Sequence, residues 1–487
     1  MDRWDYRETL KALVAAERGT LLKEAPLRVA LCYPSPYHVG MSSLGFQAIY
    51  REIHSHPGAT AERAFLPDDV ADFRASGAEL STCETQATVS QSAIVAFSIA
   101  YELELTGLLE MLSLAGLPLL REERGPNHPL VVAGGPLTFS NPAPLEPFVD
   151  VLVLGEADET IHRLLEAAAP GTSREATLAA LEDVPGFQVV GRGGAALIAR
   201  APDDKLPARS QIVTPHCELR SMFLVEAERG CSRGCHYCVM RQGACGGMRL
   251  VEPERVLAAI PEAARKVGLV GAAVTDHPQL PQILRALIDS GREFGVSSLR
   301  ADRLTPELAD LLARGGYRTL TVALDGASRR LRQEIDRKTG EEDVLRAATL
   351  AKAAGMKRLK LYVMVGLPGE TAADLDALAR FVRELASALP VSMGVAPFVA
   401  KRHTPLDGAP FEPVASLEHK LKRLAKSLRG RAEVRPVSAR WAFVEYMLAQ
   451  CGAEAGLAAM DAWRAGGGFV AFKRAFKERG ATPRRGS

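Results

Sequence analysis

Short apolar runs alternate with amphipathic segments along residues 25–170. The runs are LRVALCY at 27–33, AIVAFSIA at 93–100, LVVAGG at 130–135 and VDVLVLG at 149–155. Apolar runs of this length are typical of strands buried on both faces, and the amphipathic segments between them are typical of crossover helices. The pattern predicts an α/β domain with a doubly wound, Rossmann-like parallel sheet over residues 25–170.

The alternation returns over residues 221–404 with different residues. Six apolar runs, beginning within 221–230 and ending with VSMGVAPF at 391–398, are separated by five helix-like stretches. This arrangement predicts a (β/α)₆ partial TIM barrel, whose chemistry would lie at the C-terminal ends of its strands. Residues 171–220 lose the rhythm and predict a hairpin around Gly193-Gly194 followed by a proline-containing linker.

The last segment, residues 405–487, has a helical period. Leu417, Leu421, Leu424 and Leu428 share one stripe, and basic residues crowd the other faces. We therefore expect a small, basic, helical C-terminal extension. Its positive charge could contact RNA phosphates, although a solvated helix face gives the same pattern.

Composition narrows the class of protein without naming a partner. The 487 residues are 47% hydrophobic and 24% charged, with a net charge of +2, as in ordinary globular proteins. No apolar run approaches the roughly 20 residues that a membrane-spanning helix needs. The first 20 residues alternate charged and apolar positions, unlike a secretory signal. We expect a cytoplasmic protein with no membrane span.

Three of the eight cysteines fall within the stretch GCSRGCHYC at 230–238. Cys231, Cys235 and Cys238 directly follow the first predicted strand of the second domain. A short loop can fold three thiolates around a compact iron–sulfur cube and leave the fourth iron open, and Gly230 and Gly234 permit the necessary backbone angles. The other interpretations are a zinc site completed by His236, Cys217 or Cys245, or incidental buried thiols.

This CxxxCxxC spacing, with aromatic Tyr237 before the last cysteine, resembles the radical S-adenosylmethionine superfamily. The resemblance implies a 4Fe-4S cluster on Cys231, Cys235 and Cys238, with S-adenosylmethionine chelated at the open iron and cleaved reductively to a 5′-deoxyadenosyl radical for C–H functionalisation. It also implies a reducing partner such as flavodoxin or ferredoxin. It names no catalytic residue, and the substrate could be a small molecule, an RNA or a peptide.

The same resemblance suggests positions that bind S-adenosylmethionine. Ser298 and Arg300 would face its methionyl and ribose groups, and Thr275 and Asp276 stand where many relatives have Gly-Gly-Glu. Gly366, in LYVMVGLPGET, would let the adenine approach the backbone. The remaining candidates, Tyr237, Asp325, Ser328 and Arg337, rest on the resemblance alone.

The first domain resembles the cobalamin-binding module of cobalamin-dependent radical enzymes. The matching residues are Ser98, Gly134, Gly135 and Gly155 at strand ends, with Tyr37 and Gly40 in SPYHVG. Tyr37 stands where such modules have the histidine that ligates cobalt, and His38 is one residue out of phase. Cobalamin is thus a possible cofactor that would lack its lower histidine ligand, or the domain is a scaffold without cobalamin.

Three functions follow from these readings. The first is radical cleavage of S-adenosylmethionine, followed in one version by methyl transfer through cobalamin. The second is cobalamin-independent radical modification of RNA or a peptide. The third is an iron–sulfur protein with an electron-transfer or regulatory role. Cys217, Cys245 and Cys451 could each add a ligand or a hydrogen donor, although an inert thiol is the simpler interpretation.

Overall fold

The computed structural model describes residues 3–192, 197–240 and 247–484, and the chain forms two compact units. The first unit comprises Met1–Phe223 and Cys451–Thr482, and the second comprises Leu224–Gln450 and Pro483–Ser487. Segment 171–220 belongs to the first unit, and the extension after residue 405 is divided between both.

The described elements number as follows in chain order. The strands are β1 (Leu27–Pro36), β2 (Ala59–Leu66), β3 (Ile94–Ser98), β4 (Leu130–Gly134), β5 (Val151–Val153), β6 (Phe187–Val189), β7 (Met222–Glu226), β8 (Glu228–Gly230), β9 (Met248–Leu250), β10 (Lys266–Val270), β11 (Glu293–Val296), β12 (Thr319–Asp325), β13 (Arg358–Val365), β14 (Val391–Pro397) and β15 (Ala432–Pro436). The helices are α1 (Arg3–Ala15), α2 (Tyr37–Gly40), α3 (Leu44–Ser55), α4 (Val70–Ala75), α5 (Leu105–Leu114), α6 (Ala157–Ala167), α7 (Arg174–Leu181), α8 (Pro253–Ala258), α9 (Leu280–Asp289), α10 (Pro306–Arg314), α11 (Arg329–Glu334), α12 (Glu341–Ala353), α13 (Ala372–Ala388), α14 (Val414–Ser427), α15 (Ala439–Gln450), α16 (Ala453–Arg464) and α17 (Phe469–Glu478).

The first unit is built on one six-stranded sheet in the order β2-β1-β3-β4-β5-β6. Neighbours from β2 to β5 are parallel, and β6 pairs with β5 in the antiparallel direction. The predicted doubly wound sheet is confirmed. Its strand order reverses between β1 and β3, so their carboxyl ends form the crevice in which such folds bind ligands.

One detail of the first unit differs from the prediction. Strand β2 carries the charged residues Glu62 and Arg63 in its buried interior, and the sequence pattern did not indicate it. The turn of the predicted hairpin, at Gly193 and Gly194, lies outside the described residues, so the hairpin stays a prediction. On either side of that turn, the Gly186 N–H donates to the Leu197 carbonyl (2.9 Å), β6 pairs with β5, and Ala199 forms a parallel bridge with Gly155.

The second unit contains the strands of the partial barrel in two sheets, β11-β10-β7 and β12-β13-β14-β15. The pairs β10–β11, β12–β13, β13–β14 and β14–β15 are all parallel. The predicted α/β partial barrel and helical C-terminus are confirmed, and β15 is an additional strand inside a segment predicted to be helical. Alternate residues of β12 and β13 are buried, as expected for strands with one face against helices.

None of the described helices is both long enough and apolar enough to cross a bilayer.

Candidate functional site

The cysteine loop begins where the short strand β8 ends. Gly230 closes that strand with φ at +92°, a left-handed conformation that a side chain would resist. The loop is anchored by its backbone at His236, whose N–H donates to the Ile335 carbonyl (3.0 Å) and whose carbonyl accepts from the Leu406 N–H (3.1 Å). The loop therefore has a fixed course.

Cys231, Cys235 and Cys238 line one cavity of about 300 Å³. All three are partly buried. Burial raises the pKa of the Cys231 and Cys238 thiols, so an apolar surrounding alone would keep them protonated. Metal binding needs the thiolate, and nearby positive charge favours it. The structure brings together the three cysteines that the sequence predicted.

The donor set of the cavity can be compared with what a single metal ion and a cluster each need. Among residues 3–192, 197–240 and 247–484, no three His, Cys, Asp or Glu side chains are close enough to hold one metal ion. Zinc needs its sulfur ligands at about 2.3 Å, whereas a four-iron cluster places each cysteine on a separate iron. Three thiols on the wall of one cavity fit the larger group.

The residues proposed to complete a zinc site are engaged elsewhere or lie outside the description. His236 Nδ1 lies 2.8 Å from the Glu334 carbonyl oxygen. The Cys217 thiol donates to the Thr214 carbonyl (3.4 Å) within the first unit. Cys245 lies outside the described residues. Cys451, considered only as an additional cluster ligand or hydrogen donor, is buried in the first unit.

Five predicted S-adenosylmethionine contacts line the same cavity: Tyr237, Ser298, Arg300, Asp325 and Arg337. The Ser298 hydroxyl accepts from the Val274 N–H (3.0 Å) and donates to the Gly271 carbonyl (3.1 Å). The loop after β10 is thereby tied to the loop after β11. Ser298 thus has a structural partner as well as a place on the cavity wall.

Arg300 is buried and held by two neighbours. Its N–H donates to Thr275 Oγ1 (3.1 Å), and its guanidinium donates to both carboxylate oxygens of Asp302 (3.1 and 3.2 Å). Thr275 is therefore a support for Arg300 and is not part of the described cavity lining. A guanidinium fixed in this way is oriented before any ligand arrives.

Asp276 is taken up by arginines. Arg233 donates two parallel bonds to its oxygens (2.8 and 2.7 Å), and Arg303 donates a third (3.0 Å). Burial alone would raise the pKa of Asp276, but these hydrogen bonds hold it below its usual value. Asp276 therefore anchors the cysteine loop through Arg233, and it is not among the described residues that line the cavity.

Gly366 and Ser328 are also used by the chain itself. Gly366 has φ at +82°, and a Cβ there would lie 2.7 Å from Leu417 Cδ2. Ser328 caps α11 by accepting from the Leu331 N–H (3.4 Å) and donates to Asp374 (2.5 Å). Neither belongs to the described lining of the cavity, so their predicted contacts with S-adenosylmethionine stay predictions.

Tyr237, Asp325 and Arg337 form one connected group on the cavity wall. The Tyr237 hydroxyl donates to Asp325 Oδ2 (2.7 Å), and Arg337 Nε lies 2.9 Å from the same oxygen. Arg337 also donates to the Ala323 carbonyl (2.8 Å). Burial, followed by the Asp325 charge, raises the pKa of Tyr237, which stays a neutral donor. The group thus lies on the wall of the same cavity as the three cysteines.

Two residues beside the cavity were not predicted from the sequence. Glu228 is buried three positions before Cys231; its Oε1 accepts from the Ala273 N–H (2.7 Å), and burial raises its pKa to about 7. Tyr362 lines the cavity and is 43% exposed, with its ring over Gly394, where a Cβ would lie 2.9 Å from the ring. Inward position on β13 was its only available signal.

The predicted cobalamin-like residues are gathered near the strand ends of the first unit, but the chain itself occupies the space beside them. A Cβ on Gly135 would lie 2.7 Å from the Ile99 carbonyl oxygen, and one on Gly155 would lie 2.3 Å from that of Ala199. Gly134 and Ser98 end paired strands, and their backbones pair with each other. These glycines are explained by close packing of the backbone.

Tyr37 does not offer a ligand to cobalt. It is buried, and its hydroxyl donates to Glu17 Oε1 (2.6 Å) and lies 3.1 Å from Thr214 Oγ1. Gly40 is packed against Phe65, whose ring atoms would lie 2.5 Å from a Cβ. The residues present therefore do not fit cobalamin held through a lower ligand at this position.

Part of the basic face of α14 is neutralised within the second unit. Lys420 donates to Glu370 (2.8 Å) and Glu412 (2.6 Å), and Arg423 donates to Asp376 (2.7 Å). These pairs weaken the reading of this helix as an RNA-binding surface.

Two family models match the chain. Residues 45–189 match the model described as "Radical SAM proteins, N-terminal", and residues 225–382 match the model of the radical SAM superfamily. An uncharacterised protein of Methanocaldococcus jannaschii is 30% identical over 319 residues, which cover 62% of this chain and 67% of that one. Three further curated relatives match over 21%, 58% and 61% of their own lengths.

Solved structures show the same fold. The radical S-adenosylmethionine methyltransferase TsrM from Kitasatospora setae aligns with a TM-score of 0.55 at 16% identity, covering 78% of this chain and 75% of TsrM. OxsB, a cobalamin-dependent radical enzyme solved with aqua-cobalamin, aligns with a TM-score of 0.50 at 14% identity, covering 75% of this chain and 53% of OxsB.

Proposed function

Since this chain belongs to the radical S-adenosylmethionine superfamily, we propose that it binds a 4Fe-4S cluster through Cys231, Cys235 and Cys238 and cleaves S-adenosylmethionine reductively to functionalise a C–H bond. The observation that carries this proposal is the convergence of the three thiols, Ser298 and Arg300 on one cavity. The bound cluster would supply the electron that splits S-adenosylmethionine into methionine and a 5′-deoxyadenosyl radical.

The chain's own residues would bind and orient the cosubstrate. Arg300, fixed by Asp302 and Thr275, presents a charge that suits the methionyl carboxylate. The Ser298 hydroxyl is positioned by the loop after β10 to meet a polar group of the cosubstrate. Tyr362 lies on the cavity wall with part of its surface free, where it would contact the substrate.

A second candidate is methyl transfer through cobalamin. The fold shared with TsrM and OxsB supports it, whereas Tyr37 and the packed glycines of the first unit count against it. We therefore place radical C–H functionalisation first and route no step through cobalamin. We expect a cytoplasmic one-electron donor of the flavodoxin or ferredoxin class as the reducing partner.

The test is anaerobic reconstitution with iron and sulfide, followed by a dithionite assay for 5′-deoxyadenosine. We expect about four irons and four sulfides per chain and product that depends on S-adenosylmethionine. Cys235→Ala should abolish both because the cluster loses one of its three ligands. Cys217→Ala, which removes a buried thiol of the first unit, is the matched control and should retain both.

Two results would contradict the proposal. One is a purified protein that contains zinc and no sulfide. The other is undiminished 5′-deoxyadenosine formation by Cys235→Ala.

A further inference from the structure

Arg337 lines the same cavity as the three predicted cluster ligands, Cys231, Cys235 and Cys238. The segment that carries it is tied to the cysteine loop, because the His236 N–H donates to the Ile335 carbonyl (3.0 Å). Its side chain is 10% exposed and donates to the Ala323 carbonyl (2.8 Å), so the guanidinium cannot leave the cavity wall without losing a buried bond. Its charge is therefore a lasting part of the cavity's surroundings.

Asp325 provides the opposing charge. Its Oδ2 lies 2.9 Å from Arg337 Nε and accepts a bond of 2.7 Å from the Tyr237 hydroxyl. Asp325 also ends β12 with φ at +66°, a conformation in which Asp is enriched among residues other than glycine. A residue in a less favourable backbone conformation thus holds a carboxylate beside the arginine. Backbone strain of this kind is typical of functional sites.

We propose that Arg337 raises, and Asp325 lowers, the reduction potential of the cluster bound by Cys231, Cys235 and Cys238. Both act through their charges on the wall of the cavity that Cys235 also lines, and neither is a cluster ligand. The inference rests on the cluster assignment of the proposed function and goes beyond it, because it assigns roles in tuning the potential to two residues that resemblance to the family would place against S-adenosylmethionine.

The physical reason is the charge added on reduction. A low-potential one-electron donor converts the cluster from the 2+ to the 1+ state; one electron is gained, and no bond forms or breaks. Part of the added negative charge resides on the cysteine sulfurs, so a positive charge on the wall of the same cavity stabilises the reduced state, and the net charge around a cluster is known to set such potentials. A carboxylate beside that positive charge offsets part of the gain.

The test compares two substitutions with opposite expected signs. Arg337→Gln removes the positive charge and should shift the equilibrium for one-electron reduction about tenfold toward the oxidised cluster, which is about 59 mV for a one-electron couple. Asp325→Asn keeps the side-chain shape and tolerates a positive φ. It should shift the equilibrium toward the reduced cluster, which raises the reduction potential. The readout is the electron paramagnetic resonance signal of the reduced cluster against applied potential, without S-adenosylmethionine.

Arg329→Gln is the matched control. It removes one positive charge on α11, where Arg329 is 62% exposed and pairs with Glu342. Screening by water should keep its effect below twofold. Arg337→Lys, which retains the charge but loses the planar fork, should fall between the wild type and Arg337→Gln.

The outcomes separate this inference from the proposed function. A wild-type protein without iron and sulfide would defeat the proposed function. A wild-type protein with a reversible cluster whose potential is unmoved by Asp325→Asn, or moved in the same direction by both substitutions, would overturn only this inference. If Arg337→Gln fails to hold a cluster, the reduction potentials of Asp325→Asn and Arg337→Lys decide whether the inference stands.

Discussion

Glu104 should make the first unit less stable as pH rises. It lies just after β3 at the strand-end crevice, is 4% exposed, and accepts the Ala100 N–H at 2.5 Å. Burial raises the pKa of this carboxyl from about 4.5 to about 7, and hydrogen bonds from backbone N–H groups offset only part of the effect. We predict that Glu104→Gln, which keeps the acceptor and removes the charge, stabilises the fold above neutral pH.

The magnitude follows from the shift in the pKa of Glu104. Between pH 4.5 and 7 the folded state binds more protons at this residue than the unfolded state, so the free energy of unfolding falls as pH rises. A shift of about 2.5 units at 1.36 kcal/mol per unit corresponds to about 3 kcal/mol. The penalty is absent below pH 4.5 and complete above pH 7.

The assay is urea unfolding of wild type and Glu104→Gln at pH 5, 6, 7 and 8. The stability of the variant relative to wild type should grow across this series toward about 3 kcal/mol. Glu122→Gln, at a side chain that is 83% exposed, is the control and should show a constant difference. A gain for Glu104→Gln that is independent of pH, or that shrinks as pH rises, would refute the reasoning.

The strand ends of the first unit carry two further predictions. Gly135→Ala should lower the free energy of unfolding in urea by about 3 kcal/mol, because φ is +103° and a Cβ would lie 2.7 Å from the Ile99 carbonyl oxygen. Gly116→Ala is the control, with φ at +68° and open space around a Cβ, and should lower it by about 1 kcal/mol. Wild-type protein from cells supplied with hydroxocobalamin should show no corrin absorption after desalting. Tyr37→His should show none either, because the side chain at position 37 points to Glu17. Stoichiometric cobalamin in the wild type, with OxsB as positive control, would show that the strand ends admit the cofactor.

Apolar strands could be predicted from the sequence, but charged ones could not. Strand β2 is buried although it contains Arg63, which is fully buried and donates to Glu17 (2.7 and 2.8 Å) and Glu84 (2.6 Å). Glu17 and Glu84 lie 46 and 21 residues away in the chain. The sequence around Arg63 therefore gives no indication that its charge is neutralised. A pattern of hydrophobic positions detects burial by apolar surface only.

The three candidate cluster cysteines stand out in the sequence because the chemistry that they would serve is local. Three thiolates within eight residues can meet at one group whatever the rest of the chain does, and the structure places them on one cavity. The surrounding contacts come from distant loops. Asp276 follows β10 and Arg233 lies in the cysteine loop, yet the two form a bidentate pair, so a residue predicted to hold the cosubstrate also holds the loop.

Register decides what the first unit can bind. Tyr37 and His38 are consecutive in α2, so their side chains leave the helix about 100° apart. Tyr37 points inward to Glu17 and Thr214, whereas the His38 side chain is 48% exposed, with Nδ1 3.8 Å from Asp68. A histidine at position 38 therefore cannot take over the ligand role of a histidine at position 37. The inward position is already committed to a buried hydrogen-bond network, which is why the sheet can keep the fold of a cobalamin module without keeping its lower ligand.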